Sequence, residues 1–357
     1  SIIVYNQLNF ITKKDLGFNK ENLIVIRRSD AFWRQREAFR EQILKIDGVE
    51  KAGFSRQVPG QNFSNNAFFN DNDPTKSTHL LQQAWVSYDY PQTLGISLVD
   101  GRFFSREYGT DSTSVLINEA AVKSLGLKEP VVGQYILQPN GPDTFQRYRI
   151  IGVMKDFNIT SIHKAIDPVC FSVLFPGGGD QFATVRLSGN NIPATLKAIE
   201  QTRKEFTPNQ PFQYEFFTDT WDNLYSAEMK TGKIFILFSV LAIFIACLGL
   251  IGLVTFMTNK RTREIGIRKT YGASVSVVLN LLLREVIFLI LVSSLIAYPV
   301  AYFGSRYWMD GFVEKASISP LIYVIATLVV MLIGFMSISF QTIKAASYNP
   351  ATALRVE

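Results

Sequence analysis

Three long apolar runs in the last third of the chain constrain its fold more than any other feature. Ile234 to Met257 reads IFILFSVLAIFIACLGLIGLVTFM without a charge, enough for a helix roughly 36 Å long. Val286 to Phe303 is again free of charge, and Leu321 to Phe340 is the third run. A hydrocarbon core of about 30 Å needs ~20 apolar residues. Each run therefore predicts a transmembrane helix, over about 233–258, 281–304 and 321–342. Lys260, Arg261, Arg263, Arg268 and Lys269 fill the short loop between the first two, opposed only by Glu264. Positive charge in short loops marks the cytoplasmic side. Everything from Ser1 to Lys233 is then expected outside.

The net charge of +6 comes largely from that loop, so the basic balance speaks for topology and against a nucleic-acid partner. Two cysteines are too few for a disulfide framework, and Cys247 lies inside a membrane run. The start, Ser1-Ile2-Ile3-Val4-Tyr5, is apolar but too short to span a bilayer and lacks a basic leader. It reads as the outer end of a fourth transmembrane helix whose remainder lies upstream, with Tyr5 in the interfacial belt. The other reading is an amphipathic start of a soluble domain. Residues 1–20 are thus assigned to the end of a truncated helix and a linker, and residues 233–357 to the membrane domain.

Residues 21–232 have the mixed composition of a folded domain. Leu23 to Ile26 reads as a strand, Ala31 to Lys45 as a helix and Val49 to Phe54 as a strand. The same order recurs as strand Phe182–Leu187, helix Ile192–Phe206 and strand Phe212–Phe217. Two strand–helix–strand units, 21–56 and 176–220, predict a split α/β subdomain interrupted by a strand-rich segment, 57–175. Within that segment Asn118 suits the N-cap of a short helix, and Tyr148 to Met154 reads as a buried strand.

No catalytic or metal constellation emerges. The Asn70–Pro74 run has the composition of a calcium loop, but Lys76 stands where the loop needs Gly and Gln82 where it needs Glu. It reads as a solvated loop. His79 and His163 lack partners at ligand spacing. Thr231-Gly232-Lys233 misses the earlier Gly of a phosphate loop, with Ala227 in its place. No cofactor is expected, and nucleotide chemistry would have to come from another polypeptide.

Arg263-Glu264-Ile265-Gly266-Ile267-Arg268-Lys269, followed by Gly272-Ala273, resembles the cytoplasmic signature of permease subunits of ABC transporters of the FtsX and MacB-like, mechanotransmission class. Asn349-Pro350-Ala351-Thr352-Ala353-Leu354-Arg355 is similar to the family's terminus. Leu94-Gly95-Ile96, Gly101-Arg102-Phe103, Asn118-Glu119-Ala120-Ala121, Ile150-Ile151-Gly152-Val153 and Lys155-Asp156-Phe157 resemble its MacB-type periplasmic domain. The resemblance implies a membrane protein with four transmembrane helices, here three complete and one truncated at the N-terminus. It also implies an α+β extracytoplasmic MacB-like core domain and residence in the cell membrane as a multi-pass protein. It further implies a short cytoplasmic helix that docks on an ABC ATPase, itself a separate subunit.

The residues allow that role. Arg261 to Tyr271 can form about three helical turns, with Gly272 as C-cap and Arg268 and Lys269 near the negative end. Arg263, Glu264, Ile265, Gly266, Ile267, Arg268, Lys269 and Tyr271 are the candidate coupling residues. Apolar Ile265 and Ile267 suit a partner's groove better than a loop that only orients the chain, although the residues alone favour the plain topological anchor. Within the membrane, Ala242, Ala246 and Gly249, and Ser293, Ala297 and Ala301, form small-residue faces suited to close helix packing, within the chain or across a dimer. Pro299 predicts a kink by freeing the Leu295 carbonyl. No ionisable residue lies at mid-membrane depth, with Arg284 and Glu285 at an edge. Expected partners are the ATPase, the lipid bilayer, a dimer mate or second permease half, and a periplasmic partner. A signalling or hydrolase-activating complex of the same build and a membrane-anchored binding module are the competing functions.

Overall fold

The computed structural model describes residues 2–29, 34–142, 144–161, 165–174, 182–260, 275–310 and 320–346, with the single positions 264, 267, 271 and 315. The chain divides into two compact units. One comprises Thr12–Ala227, the outer unit, and the other Ser1–Ile11 with Glu228–Glu357, the membrane unit.

Helix α1 covers Ile2–Lys13. It runs on beyond the short apolar start that ends at Tyr5, through Asn6 and Gln7. No Gly or Pro interrupts these residues, and Gln7 is buried.

The outer unit then alternates short elements. They are β1 (Leu23–Arg27), α2 (Arg36–Ile43), β2 (Val49–Ser55), β3 (Ser64–Asn70), β4 (His79–Val86), α3 (Tyr90–Leu94), β5 (Leu98–Gly101) and β6 (Ser114–Asn118). There follow α4 (Glu119–Ser124), β7 (Tyr135–Pro139), β8 (Phe145–Met154), β9 (Val169–Val173), β10 (Phe182–Leu187), α5 (Ile192–Phe206), β11 (Tyr214–Phe216) and α6 (Phe217–Leu224). The expected helix Ala31–Lys45 is shorter, and residues 31–33 lie outside the described ones. The expected strand Phe212–Phe217 is also shorter. Phe216 is still extended, at φ −71 and ψ 134, but caps α6, which buries Phe217 and Trp221.

Strands β11, β1, β10 and β2 lie side by side, all antiparallel. The two helical crossovers α2 and α5 meet edge-on at Phe39 and Phe206, 5.4 Å apart. Their core holds Ile24, Ile26, Ile43, Phe54, Val185 and Ile199. On β2, a Cβ at Gly53 would stand 2.7 Å from the Tyr90 Cα. Only a glycine lets α3 approach so closely.

The segment between β2 and β10 closes on itself. Strand β4 pairs with β3, β3 with β7, β7 with β8, β8 with β6, β6 with β9, and β9 returns to β4 in parallel register, Gln82 opposite Val169. Closure leaves this ring of strands without edges. Side chains at alternate positions fill it. Phe68, Leu81, Val115, Ile117, Ile136, Ile150 and Cys170 form the apolar layer. Two residues along the strands a polar layer follows. Asn66 and Gln138 each donate to Gln83 Oε1 at 2.8 Å, and Gln83 donates to Ser172 at 2.8 Å. Buried amides survive because every partner is supplied. Burial pushes the Cys170 thiol up to about 12, which makes it chemically inert. A charge cluster bridges the two halves, with Arg106 shared between Glu37 at 2.8 Å and Asp89 at 2.6 Å, and Arg40 on Asp89 at 2.9 Å.

In the membrane unit α7 (Ser226–Lys260), α8 (Val275–Met309) and α9 (Leu321–Ala346) are long. Met229–Lys260 and Leu283–Met309 are long and apolar enough to cross a membrane, and Leu321–Met336 is a shorter apolar helix. Thr231-Gly232-Lys233 lies inside α7, not in a loop that could cradle phosphate.

Candidate functional site

The turn between α7 and α8 is described at Glu264, Ile267 and Tyr271. Glu264 and Ile267 are helical, and the Tyr271 amide donates to the Ile267 carbonyl at 3.2 Å, an i to i−4 bond. Ile267 is 47% exposed and Tyr271 88%. Arg263, Ile265, Gly266, Arg268 and Lys269 lie outside the described residues, as do Gly272 and the terminal motif Asn349–Arg355. An isoleucine and a tyrosine one turn apart, both facing out, form an apolar step on a basic stretch. Such a step can enter a groove.

Ala242, Ala246, Gly249, Ser293, Ala297, Pro299 and Ala301 are all exposed on their helices, and nothing lies within 4 Å of a Cβ placed at Gly249. Among the described residues these small residues are not at the helix contact. The contact is made elsewhere. Val254, Val286, Ile290 and Ile338 form the membrane unit's core. Gly334 of α9 is its small residue, where a Cβ would meet Ile290 at 3.3 Å and Val286 at 3.7 Å. The signal for this contact is a single glycine among large side chains, which the sequence reading did not single out. Helix α8 continues through Pro299. Beside it the Tyr298 hydroxyl donates to the Tyr323 carbonyl at 3.1 Å and also meets the Thr327 hydroxyl, a polar clasp from α8 to α9.

In the outer unit a cleft of about 710 Å³ is lined by Val99, Asp100, Glu119, Lys123, Glu129 and Val131, among others. Helix α4 sits where the sequence placed it, with the Asn118 side chain accepting from the Ala121 amide at 3.0 Å and from the Val169 amide at 2.8 Å. Asp156 accepts from the Ala120 amide at 2.8 Å. Burial, with the Glu119 charge beside it, raises its carboxyl above the ordinary value. In the Asn70–Pro74 loop, Asp73 accepts from Thr75 and Ser77 of its own turn, which lowers its pKa to about 2. Among the described residues no group of three or more side chains could hold a metal. His163 lies outside them.

The MacB-like periplasmic core domain family matches residues 4–202, and the FtsX-like permease C-terminal family residues 236–350. The first match covers more than half of the chain. The chain is 23% identical over 326 residues to the macrolide export ATP-binding/permease protein MacB of Mannheimia succiniciproducens, covering 87% of this chain and 48% of that one. It is 24% identical over 284 residues to the pyoverdine export ATP-binding/permease protein PvdT of Pseudomonas syringae pv. tomato, covering 75% and 42%. It spans less than half the length of either relative. The crystal structure of the periplasmic region of MacB from Actinobacillus actinomycetemcomitans aligns with 60% of this chain and 98% of its own, at 14% identity and a TM-score of 0.42.

Proposed function

The chain belongs to the FtsX/MacB-like family of ABC transporter permeases, and from that premise we propose that it is the permease part of an export system driven by a separate ABC ATPase. The observation that carries this reading is the order of the two family matches along one chain, core domain then permease region. The names of the relatives join ATP-binding to permease in one protein and specify export. They support an ATPase partner and export, whereas a separate ATPase chain is the proposal's own step. Helices α7, α8 and α9 are the three complete membrane helices of this reading, and α1 ends a fourth. The outer unit lies outside the cell membrane and the turn at 264–271 inside. ATP binding in the partner moves that turn, and α7, which runs unbroken from Ser226 to Lys260, carries the motion outward. The exposed Ala242–Gly249 and Ser293–Ala301 faces are left for lipid or for a second permease copy.

Docking makes the apolar step of the turn matter more than its charge. Ile267→Asp would place an unpaired carboxylate in the partner's groove, at a cost of several kcal/mol, roughly 3–5, once desolvated. Arg268→Gln would cost under about 1 kcal/mol, as a rim charge does. Pull-down of the ATPase with wild-type and variant membranes, at matched protein level, should show recovery lost for Ile267→Asp and nearly kept for Arg268→Gln. Equal recovery by wild type and Ile267→Asp would reduce the stretch to a topological anchor.

A further inference from the structure

Two stretches of the outer unit adjoin the membrane unit in sequence. Leu16–Glu21 follows α1, and α6 leads into α7. They meet in a buried aromatic trio. Phe18 is 6% exposed, Trp221 2% and Phe217 not at all. The Phe18 ring stands edge-on to Phe217 at 5.4 Å and to Trp221 at 5.5 Å, while Phe217 and Trp221 stack at 6.3 Å. Both arrangements are the ones ring quadrupoles favour. Lys20 adds an ion pair to Asp222 at 3.5 Å.

Behind the trio the first stretch is held by backbone contacts. Gly17 has φ +80, and a Cβ there would lie 2.5 Å from the Asp156 carbonyl oxygen and 2.7 Å from the Phe157 Cα. No other residue fits. The Asn158 amide donates to the Leu16 carbonyl at 2.9 Å. From β10 the buried Arg186 donates to the carbonyls of Thr93 at 3.0 Å, Glu21 at 2.9 Å and Asn19 at 2.7 Å. Burial lowers its pKa, and the rigid guanidinium fork ties β10 to α3 and to the stretch Asn19–Glu21 at once. On the other side a Cβ placed at Gly60 would meet the Trp221 ring at 3.6 Å, and the Gly60 amide donates to the Ile159 carbonyl at 2.8 Å. Contacts therefore reach both the four-stranded sheet and the closed ring.

We infer that Phe18, Phe217 and Trp221, with Arg186 as a positioning residue, form a joint that binds both connections into one body with the outer unit. A displacement delivered along α7 then reaches the sheet and the ring together, and α6 does not swing alone. The inference rests on the coupling role proposed above.

Hydrogen exchange of the full chain in nanodiscs tests it. Arg186→Met removes the hold on Leu16–Glu21 and touches nothing in α6. Exchange should rise at least tenfold at residues 16–22 and by a comparable factor at 217–225, with β6 and β8 unchanged. Wild-type exchange in α6 would mean two independent connections and overturn the joint. Should β6 also loosen, Phe18→Leu gives the same readout with a milder change. Trp221→Phe, which keeps a ring in place, should retain wild-type exchange at both stretches, whereas Trp221→Ala should lose both. With the ATPase bound, ATP should alter exchange in the ring of the wild type and not of Arg186→Met, at equal ATPase recovery. A retained ATP response in Arg186→Met overturns the joint. Failure of the wild type to recover the ATPase overturns only the docking reading.

Discussion

The outer unit turns its large apolar side chains inward, whereas the membrane unit turns most of its own outward. Phe39, Phe68 and Phe171 are wholly buried. Phe238, Leu295 and Phe303 are 63%, 75% and 68% exposed. In water, burying apolar surface gains about 25 cal/mol per Å², so the outer unit closes a ring and covers a sheet. Between helices in lipid that gain vanishes, because acyl chains are as apolar as leucine. Shape and hydrogen bonds must decide instead. The membrane unit accordingly relies on a fitted glycine, Gly334, and on the Tyr298 clasp.

The sharpest way to break this contrast is to delete one phenylalanine from each unit. Phe171 is wholly buried and touches Phe63, Tyr90 and Phe157. Phe171→Ala should destabilise the outer unit by about 3–5 kcal/mol through lost burial and the cavity left behind. Phe238→Ala should change stability by about 0.5 kcal/mol or less. Denaturant unfolding of the full chain in detergent, followed by near-ultraviolet circular dichroism, measures both. Similar losses would mean that Phe238 is packed against protein and not lipid.

The same contrast explains how much was legible in the sequence. The charge-free runs, the strands Leu23–Arg27 and Phe182–Leu187, the helix Ile192–Phe206 and the Asn118 cap all rest on local signals: periodicity, length and a capping side chain. Ring closure does not. Nothing near Gln82 announces that it will lie beside Val169, because pairing at that separation is decided by the whole collapsed chain. Arg186 is equally silent, since an arginine in a strand looks solvent-facing until three carbonyls are found around it. At the turn 264–271 the motif marked the stretch, and Ile267 and Tyr271 are exposed there; docking through them is the proposal made above. The small-residue faces are exposed in the single chain, and spacing alone cannot tell a contact with a second copy from a lipid-facing surface.

Within the membrane unit a pair of glycines sharpens the comparison. A Cβ at Gly334 presses on the Ile290 side chain at 3.3 Å and touches Leu250 and Val286 at 3.6 and 3.7 Å. A branched side chain must push them aside, whereas a Cβ at Gly249 meets nothing within 4 Å. Gly334→Val should destabilise the helix packing by about 1–3 kcal/mol, the usual cost of overfilling a fitted contact. Gly249→Val should leave it within about 0.5 kcal/mol. Thermal unfolding of the helical signal in detergent separates the two. If Gly249→Val proves the costlier, that face is covered by a second copy, and the loss should then depend on protein concentration.

The smallest expected effect is electrostatic and belongs to the outer unit alone. On the edge of the sheet, Arg27 donates to Glu215 at 2.5 and 3.1 Å, and Thr220 adds a bond at 3.1 Å. These hydrogen bonds, the one from Arg27 foremost, hold the Glu215 carboxyl below its ordinary value of 4.5. A carboxyl lowered on folding stabilises the fold fully above the unfolded value and loses that contribution as pH falls through the lower, folded one. Both side chains are about two-fifths exposed, so solvent screens the pair and the contribution stays under about 1 kcal/mol. Glu215→Gln should therefore lower the outer unit's unfolding midpoint slightly at neutral pH. The difference from wild type should shrink as pH is taken below 4.5, with the helical signal of the membrane unit indifferent throughout. A gap that widened on acidification would show that Glu215 is stabilised in its protonated form, the opposite of what its three hydrogen-bond donors imply.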